Sequence, residues 1–323
     1  MNIKILGLWV MMAAGWGLMN QSVAEPAGDS VLAGFRSSRI LNSYPGRVFP
    51  TADYWASTGK KIAAKFENGI PSSVWIVSIY LNNGNTQLGF PSSGVQYPKI
   101  SFVSTDLNEA YLTRLDTEGY KVWLQVEPGA ASMDTLIELV LNRYQHHPCV
   151  AGFGIDVEWF YANTSSGGRK VTDLEAQHWE EKVKSINSDY SLFLKHYSSA
   201  WMPPKYRGKI IFVDDSQGFS SLSQIISEFK SWGSVFSKNP VAFQVGYEAD
   251  KWIWSSLADP VKDLGDRLFS SVPNMAAFYW VDFTIVQLFP TAMDDETDRP
   301  MVKPAIISNY PNPFNSSTMI EYR

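Results

Sequence analysis

Ala151-Gly-Phe-Gly-Ile-Asp-Val-Glu-Trp159 is an apolar, glycine-punctuated run that ends in two carboxylates and an indole. With Val150 in front and Phe153, Ile155 and Val157 inside, the stretch is continuously apolar rather than alternating, the pattern of a strand covered on both faces. In an extended segment Asp156 and Glu158, two residues apart, leave the same face. At the C-terminal end of a parallel barrel strand that face looks into the mouth of the barrel, where ligands are met. A solvent-facing edge strand, or a pair of acids capping the next helix, would not call for the apolar run before them.

Outward from this stretch, short apolar runs alternate with amphipathic ones, the sign of βα units around a parallel sheet. The expected fold is α/β, a (β/α)8 TIM-type barrel with a short C-terminal β-type tail. Strands are predicted at 74–80, 100–103, 121–127, 150–158, 209–214, 241–247 and 275–281, and helices at 52–66, 107–118, 134–143, 173–197, 221–232 and 260–269. An eighth strand must come from 31–35, 233–236 or 252–254. If 31–35 belongs to the barrel, the Asp-x-Glu pair ends the fifth strand.

The 323 residues are 45% hydrophobic and 18% charged, which suits one large domain with a sizeable core. A net charge of -5 without basic runs argues against a nucleic-acid partner. Aromatic content is 14%, with 12 Trp, and flat rings of this kind stack on the C–H faces of sugars. The single Cys149 excludes an intramolecular disulfide and reads as a small buried hydrophobe.

Both ends carry addresses. Residues 1–24 combine Lys4, an apolar run over 5–19 and the small-x-small ending Ser22-Val23-Ala24, a secretory signal peptide whose apolar run is too short to span a bilayer once about 20 residues are needed. The domain is expected over 25–290 and a polar connector over 291–304. Residues 305–323 contain Asn309-Tyr-Pro-Asn-Pro-Phe-Asn, which resembles the opening of the C-terminal sorting domain of the type IX secretion system. That resemblance implies export through the periplasm to the medium or cell surface, with the type IX machinery as a partner. A monomer without a membrane span is expected after signal removal.

Predicted strand ends converge on one mouth and supply the candidate site. The third apolar run ends Gln125-Val-Glu127-Pro-Gly, and its turn needs no acid. Asp214-Asp215 ends another, read equally as a subsite or as a turn cap. Gln244-Val-Gly-Tyr247 and Tyr279-Trp280-Val-Asp282 end two more, and Trp159 follows the opening pair. The four His do not read as a metal set: His146 and His147 precede the strand at 150 and lie at the opposite face, and His178 and His196 fall on a predicted helix. No Ser-His-Asp order or phosphate loop is visible, so metal-independent, cofactor-free acid chemistry is expected.

Residues 151–158 resemble the DGxDxDxE signature of family-18 glycoside hydrolases, the chitinases and endo-N-acetylglucosaminidases. Gly152, Asp156 and Glu158 fall in register, whereas Ala151 and Gly154 replace the first and second aspartates. With the strand ends at Tyr247 and Trp280 the resemblance covers about residues 74–284. It implies a glycosidase in which Glu158 protonates the leaving oxygen. Asp156 and Tyr247 would orient the substrate's 2-acetamido oxygen as nucleophile, and Trp280 would floor the sugar. With the inner aspartate lost at Gly154, Glu127 is the available second acid. The expected catalytic set is Glu158, Asp156 and Glu127; the expected substrate-binding set is Gln125, Trp159, Asp214, Gln244, Tyr247, Trp280 and Asp282. A non-catalytic carbohydrate-binding barrel and a family-25 peptidoglycan lysozyme, which also carries Asp-x-Glu at a strand end, remain open alternatives.

Overall fold

A computed structural model of the chain describes residues 30–81, 83–162, 168–290, 306–310 and 319–322. The expected signal peptide lies outside the described residues, as does the whole of the connector. Strands run in chain order as β1 (Val31–Ser37), β2 (Gly69–Leu81), β3 (Asn85–Leu88), β4 (Ile100–Phe102), β5 (Lys121–Val126) and β6 (Val150–Asp156). They continue as β7 (Ser191–Lys195), β8 (Ile211–Asp214), β9 (Val241–Val245) and β10 (Met275–Val281). The helices are α1 (Ala52–Ala63), α2 (Glu109–Asp116), α3 (Met133–Tyr144), α4 (Asp173–Ile186), α5 (Leu222–Val235), α6 (Lys251–Trp254), α7 (Pro260–Ser271) and α8 (Asp282–Leu288).

The sheet has ten strands in the order β1-β10-β9-β8-β7-β6-β5-β2-β3-β4, and β1 also pairs with β2. That last pairing closes the parallel strands into a barrel and leaves β3 and β4 as a side extension of β2. The fold is therefore the expected (β/α)8 barrel. In the tail, Ile306–Tyr310 (β11) and Met319–Tyr322 (β12) form an antiparallel pair.

Two sequence expectations are corrected and one open choice is resolved. The strand at 100–103 pairs with β3, itself a side strand of β2, and is not a barrel strand. The eighth strand is β1, whereas 233–236 runs off the end of α5 and 252–254 is α6. The predicted helix 173–197 is two elements, α4 and then β7. The net result is that the Asp-x-Glu pair follows the fourth barrel strand, not the fifth.

Pleat alternation divides the core in two. Outward-facing residues such as Phe35, Trp75, Leu124, Phe153, Leu194, Phe243 and Trp280 join the helices in one large cluster. Inward-facing Val74, Trp123, Phe193, Val213, Ala242, Ala277 and Tyr279 make a second, smaller cluster that plugs the barrel. Helix starts follow their caps: Thr51, Ser132, Thr172 and Ser221 each accept from a backbone N–H of the first turn, and Glu175 completes a capping box at α4.

Candidate active site

Two residues above the apolar plug, the inward positions turn polar. Phe193 is followed by Lys195, Val213 by Asp215, Trp123 by Gln125, Ala242 by Gln244, Gly34 by Arg36 and Gly154 by Asp156. All six are buried. Asp156 and Lys195 are register partners on adjacent strands, and Lys195 Nζ lies 2.9 Å from Asp156 Oδ2 and 2.5 Å from Asp215 Oδ2. Gln125 Nε2 donates to Asp156 Oδ2 at 3.4 Å, and the Tyr247 hydroxyl donates to Asp215 Oδ2 at 3.4 Å.

These charges decide the protonation states. Burial disfavours the Lys195 ammonium, but Asp156 and Asp215 outweigh it and hold it well above the ordinary lysine range. A lysine so held is no free amine nucleophile. Burial pushes Asp156 up to about 8; Lys195 opposes the rise, while Asp215 and Glu127 add to it. Burial thus works toward the protonated form of Asp156, and Lys195 toward the ionised one.

On the other side of the mouth, Arg36 Nη2 faces Asp282 Oδ1 at 3.4 Å, and its guanidinium lies 4.4 Å from the Phe283 ring centre. Asp282 Oδ2 accepts from Ser38 N at 2.7 Å and Ser38 Oγ at 2.8 Å, and from the Tyr44 hydroxyl. Asp282 is thus a fully buried anchor for the chain leaving β1, placed beside the site rather than on its surface.

The two glutamates lie at the rim. β6 ends at Asp156, and Val157–Trp159 is a single 3-10 turn, so Glu158 does not share an extended face with Asp156 as the sequence predicted. Beyond it, Gly129 and Phe160 form an isolated parallel bridge, and Tyr161 N donates to Gly129 O at 2.8 Å. Glu127 and Glu158 each stand two residues before a member of that bridge, which ties their loops together. Glu127 Oε2 accepts from Tyr80 N at 2.8 Å, while Glu127 N donates to Ser78 Oγ at 3.2 Å. Burial raises both glutamates above the usual carboxylate range; Lys195 pulls against both, and Glu158 raises Glu127 further. Trp159 stacks on Tyr80 with ring centres 4.9 Å apart and planes 16° apart, both half-buried beside the glutamates.

Besides Asp282, two expected site residues are elsewhere. Trp280 faces outward: it is fully buried, packs edge-on against Trp254 at 5.5 Å and donates from Nε1 to Thr284 Oγ1 at 2.9 Å. Gly246, at φ 88°, leaves room for that indole, because a Cβ there would lie 2.2 Å from it. Asp214 also points away from the barrel axis, accepting from Ser216 N at 2.8 Å and Ser216 Oγ at 2.7 Å as a turn cap; its neighbour Asp215 is the residue in the mouth. Gln125, Gln244, Tyr247, Asp156 and Glu127 are brought together with Glu158 as expected positions; of the pair Asp214-Asp215 it is Asp215 that enters the mouth, and Arg36, Lys195 and Tyr80 are additions that the sequence does not single out. His196, expected on a helix, follows β7 instead; it is buried, stacked on Trp201 at 4.4 Å, and lowered to about 4 mainly by burial.

The glycine at the second aspartate position has a steric cause. A Cβ on Gly154 would lie 2.0 Å from Cζ of Phe193, the ring that caps the apolar plug. An aspartate there would have to displace that ring.

No protein-family model and no curated protein sequence matches the chain. Solved structures do. An uncultured Clostridium sp. β-glucuronidase aligns at TM-score 0.45 and 10% identity over 78% of this chain and 43% of its own. A β-D-glucuronidase for Dictyoglomus thermophilum aligns at TM-score 0.42 and 10% identity over 76% of this chain and 43% of its own. A GH5-4 broad-specificity endoglucanase from an uncultured bacterium aligns at TM-score 0.41 and 11% identity, over 77% of this chain and 86% of its own. The chain thus spans less than half the length of the two glucuronidases it resembles.

Proposed function

We propose that this chain is a secreted glycosidase that cleaves a polysaccharide or glycan with Glu158 as general acid. The observation that carries this reading is the pairing of Glu127 and Glu158 at the barrel mouth, both raised by burial and both on loops tied by the Gly129–Phe160 bridge. A carboxyl raised in this way stays protonated at a pH where a free one would not, as a proton donor to a leaving oxygen must. The stacked Tyr80 and Trp159 give a flat wall beside it. Below, Gln125 Oε1, Asp156 Oδ1, Asp215 Oδ1 and both polar ends of Gln244 are buried without a partner among the described residues. Buried groups of that kind favour a hydroxyl-rich ligand. Glu127, pinned by Tyr80 N–H, is the second carboxylate in this proposal, since Asp156 is engaged by Lys195. Export rests on the sequence of residues 1–24 and on the type IX-like tail.

Glu158→Gln keeps the shape and removes the proton, and should slow release of reducing ends from a polysaccharide panel by about 10²–10⁴-fold while leaving binding intact. Full activity in that variant would remove Glu158 from the chemistry. A second reading, a carbohydrate-binding barrel without catalysis, is favoured by one observation: the Asp156–Lys195–Asp215 array locks the residue that the family-18 scheme needs free to exchange its proton. Calorimetric binding of an oligosaccharide with no cleavage over a day would select it.

A further inference from the structure

At the N-terminal face of the barrel, remote from the mouth, Glu109 at the start of α2 meets His146 and His147 in the turn between α3 and β6. We propose that Glu109, His146 and His147 form a binding site for a divalent zinc ion. His146 Nε2 lies 3.2 Å and His147 Nε2 3.3 Å from the same oxygen, Glu109 Oε1, and the three candidate ligand atoms are all within 4.8 Å of one another. Zinc bonds of about 2.0–2.1 Å in tetrahedral array put neighbouring ligand atoms about 3.3–3.4 Å apart. Both glutamate–imidazole separations match that edge.

The contacts behind the rings orient them toward the same point. His146 Nδ1 lies 3.0 Å from Arg143 O, a carbonyl that can only accept, so Nδ1 carries a hydrogen, and Nε2 is left facing Glu109 Oε1 at 3.2 Å, where a proton or a metal ion can bridge the two. His147 Nδ1 lies 2.6 Å from Asp116 Oδ2, and the other Asp116 oxygen accepts from Cys149 N at 2.9 Å. A carboxylate behind an imidazole, itself held by backbone, is the arrangement that orients metal-binding histidines and raises their basicity.

His147 supplies an independent sign. Its side chain is 3% exposed, yet Nε2 makes no hydrogen bond among the described residues although Glu109 Oε1 is 3.3 Å away. The nearest cation, Arg143, is engaged by Asp106 at 2.6 Å. Glu109 and His146 also line an open groove of about 550 Å³ with Phe90, Phe102 and Arg143, which leaves a fourth coordination position to solvent or a small ligand.

The test is titration of the chelator-treated full chain with zinc chloride by calorimetry, and with cobalt(II) followed by visible absorption. One zinc per chain is expected, with a cobalt band of four-coordinate intensity and a melting temperature that rises with zinc. Glu109→Gln and His146→Ala, both at partly exposed side chains, should stay folded by circular dichroism. Each should weaken zinc by more than about 100-fold, the upper range for losing only a supporting partner, and abolish the zinc-dependent rise. Absence of stoichiometric zinc uptake by the wild type, or undiminished uptake by both variants, overturns the assignment.

Discussion

The lower and upper halves of the barrel interior are built from the same strands by the same pleat, yet they are opposites. Below, Val74, Trp123, Phe193, Val213, Ala242, Ala277 and Tyr279 close a dry plug. One inward step higher, Arg36, Gln125, Asp156, Lys195, Asp215 and Gln244 form a polar layer of equal burial. A folded chain loses free energy by burying charge, and replacing such a layer with apolar side chains is often neutral or stabilising. The plug accounts for stability; the polar layer needs another reason, and a ligand at the mouth is one.

The largest test of that contrast is Lys195→Met. It leaves Asp156 and Asp215 facing each other in a buried site without their cation, and should cost about 3–5 kcal/mol in urea unfolding. A loss below about 1 kcal/mol would mean that the acids do not depend on the lysine's charge, and the polar layer would then be less buried than its geometry states.

Trp280 and Trp159 make the same contrast between neighbouring roles. Trp280→Ala should destabilise by about 3–5 kcal/mol, because it empties a fully buried site between strands and helices. Trp159→Ala should cost only the stack on Tyr80, about 0.5–1.5 kcal/mol, and should raise KM for the glycan. An unaltered KM would take Trp159 out of the binding surface, whatever its packing.

How far the sequence led is visible at these same positions. Short continuous apolar runs mark the strands β5, β6, β9 and β10 in the sequence, but in strands apolar throughout, parity does not say which side faces the axis. Parity therefore leaves open Asp214 against Asp215, and at Trp280 the expectation rests on the family-18 resemblance, which the strand's outward pleat at that position does not meet. Lys195 was hidden because the amphipathic α4 runs straight toward it; the cluster Asn187-Ser-Asp189 was the break signal, followed by the apolar run Ser191–Lys195. Arg36 was invisible because β1 was only one of three candidates. The Glu109, His146 and His147 grouping has no sequence spacing at all, its glutamate lying 37 residues before His146; only the docking of α2 against the turn before β6 assembles it.

Gly154 lies at the junction of the two halves, and a Cβ there collides with Phe193. Gly154→Ala should therefore cost about 1–3 kcal/mol by overpacking. In the Phe193→Ala background the same change should cost less, since the ring it strikes is gone. Equal costs in both backgrounds would detach the glycine from the plug and leave the missing aspartate unexplained.

The smallest effect is in pH dependence. An acid whose folded pKa is raised binds more protons folded than unfolded, so Asp156 lowers stability as pH climbs from its ordinary 3.8 to about 8, and no further above that. His196 acts in reverse: buried neutral and lowered to about 4 from 6.5, it raises stability across that interval and is silent above it. Between pH 6.5 and 8 the Asp156 contribution therefore stands clear of the histidine, at up to about 1.4 kcal/mol per pH unit. Chemical unfolding of the wild type should show stability falling across this window, with the fall reduced in Asp156→Asn, where no carboxyl remains to ionise beside Asp215 and Glu127. A wild-type curve flat from 6.5 to 8 would place Asp156 in its ionised form throughout, paired with Lys195 as an ordinary buried salt bridge, and the polar layer would then hold no proton in reserve.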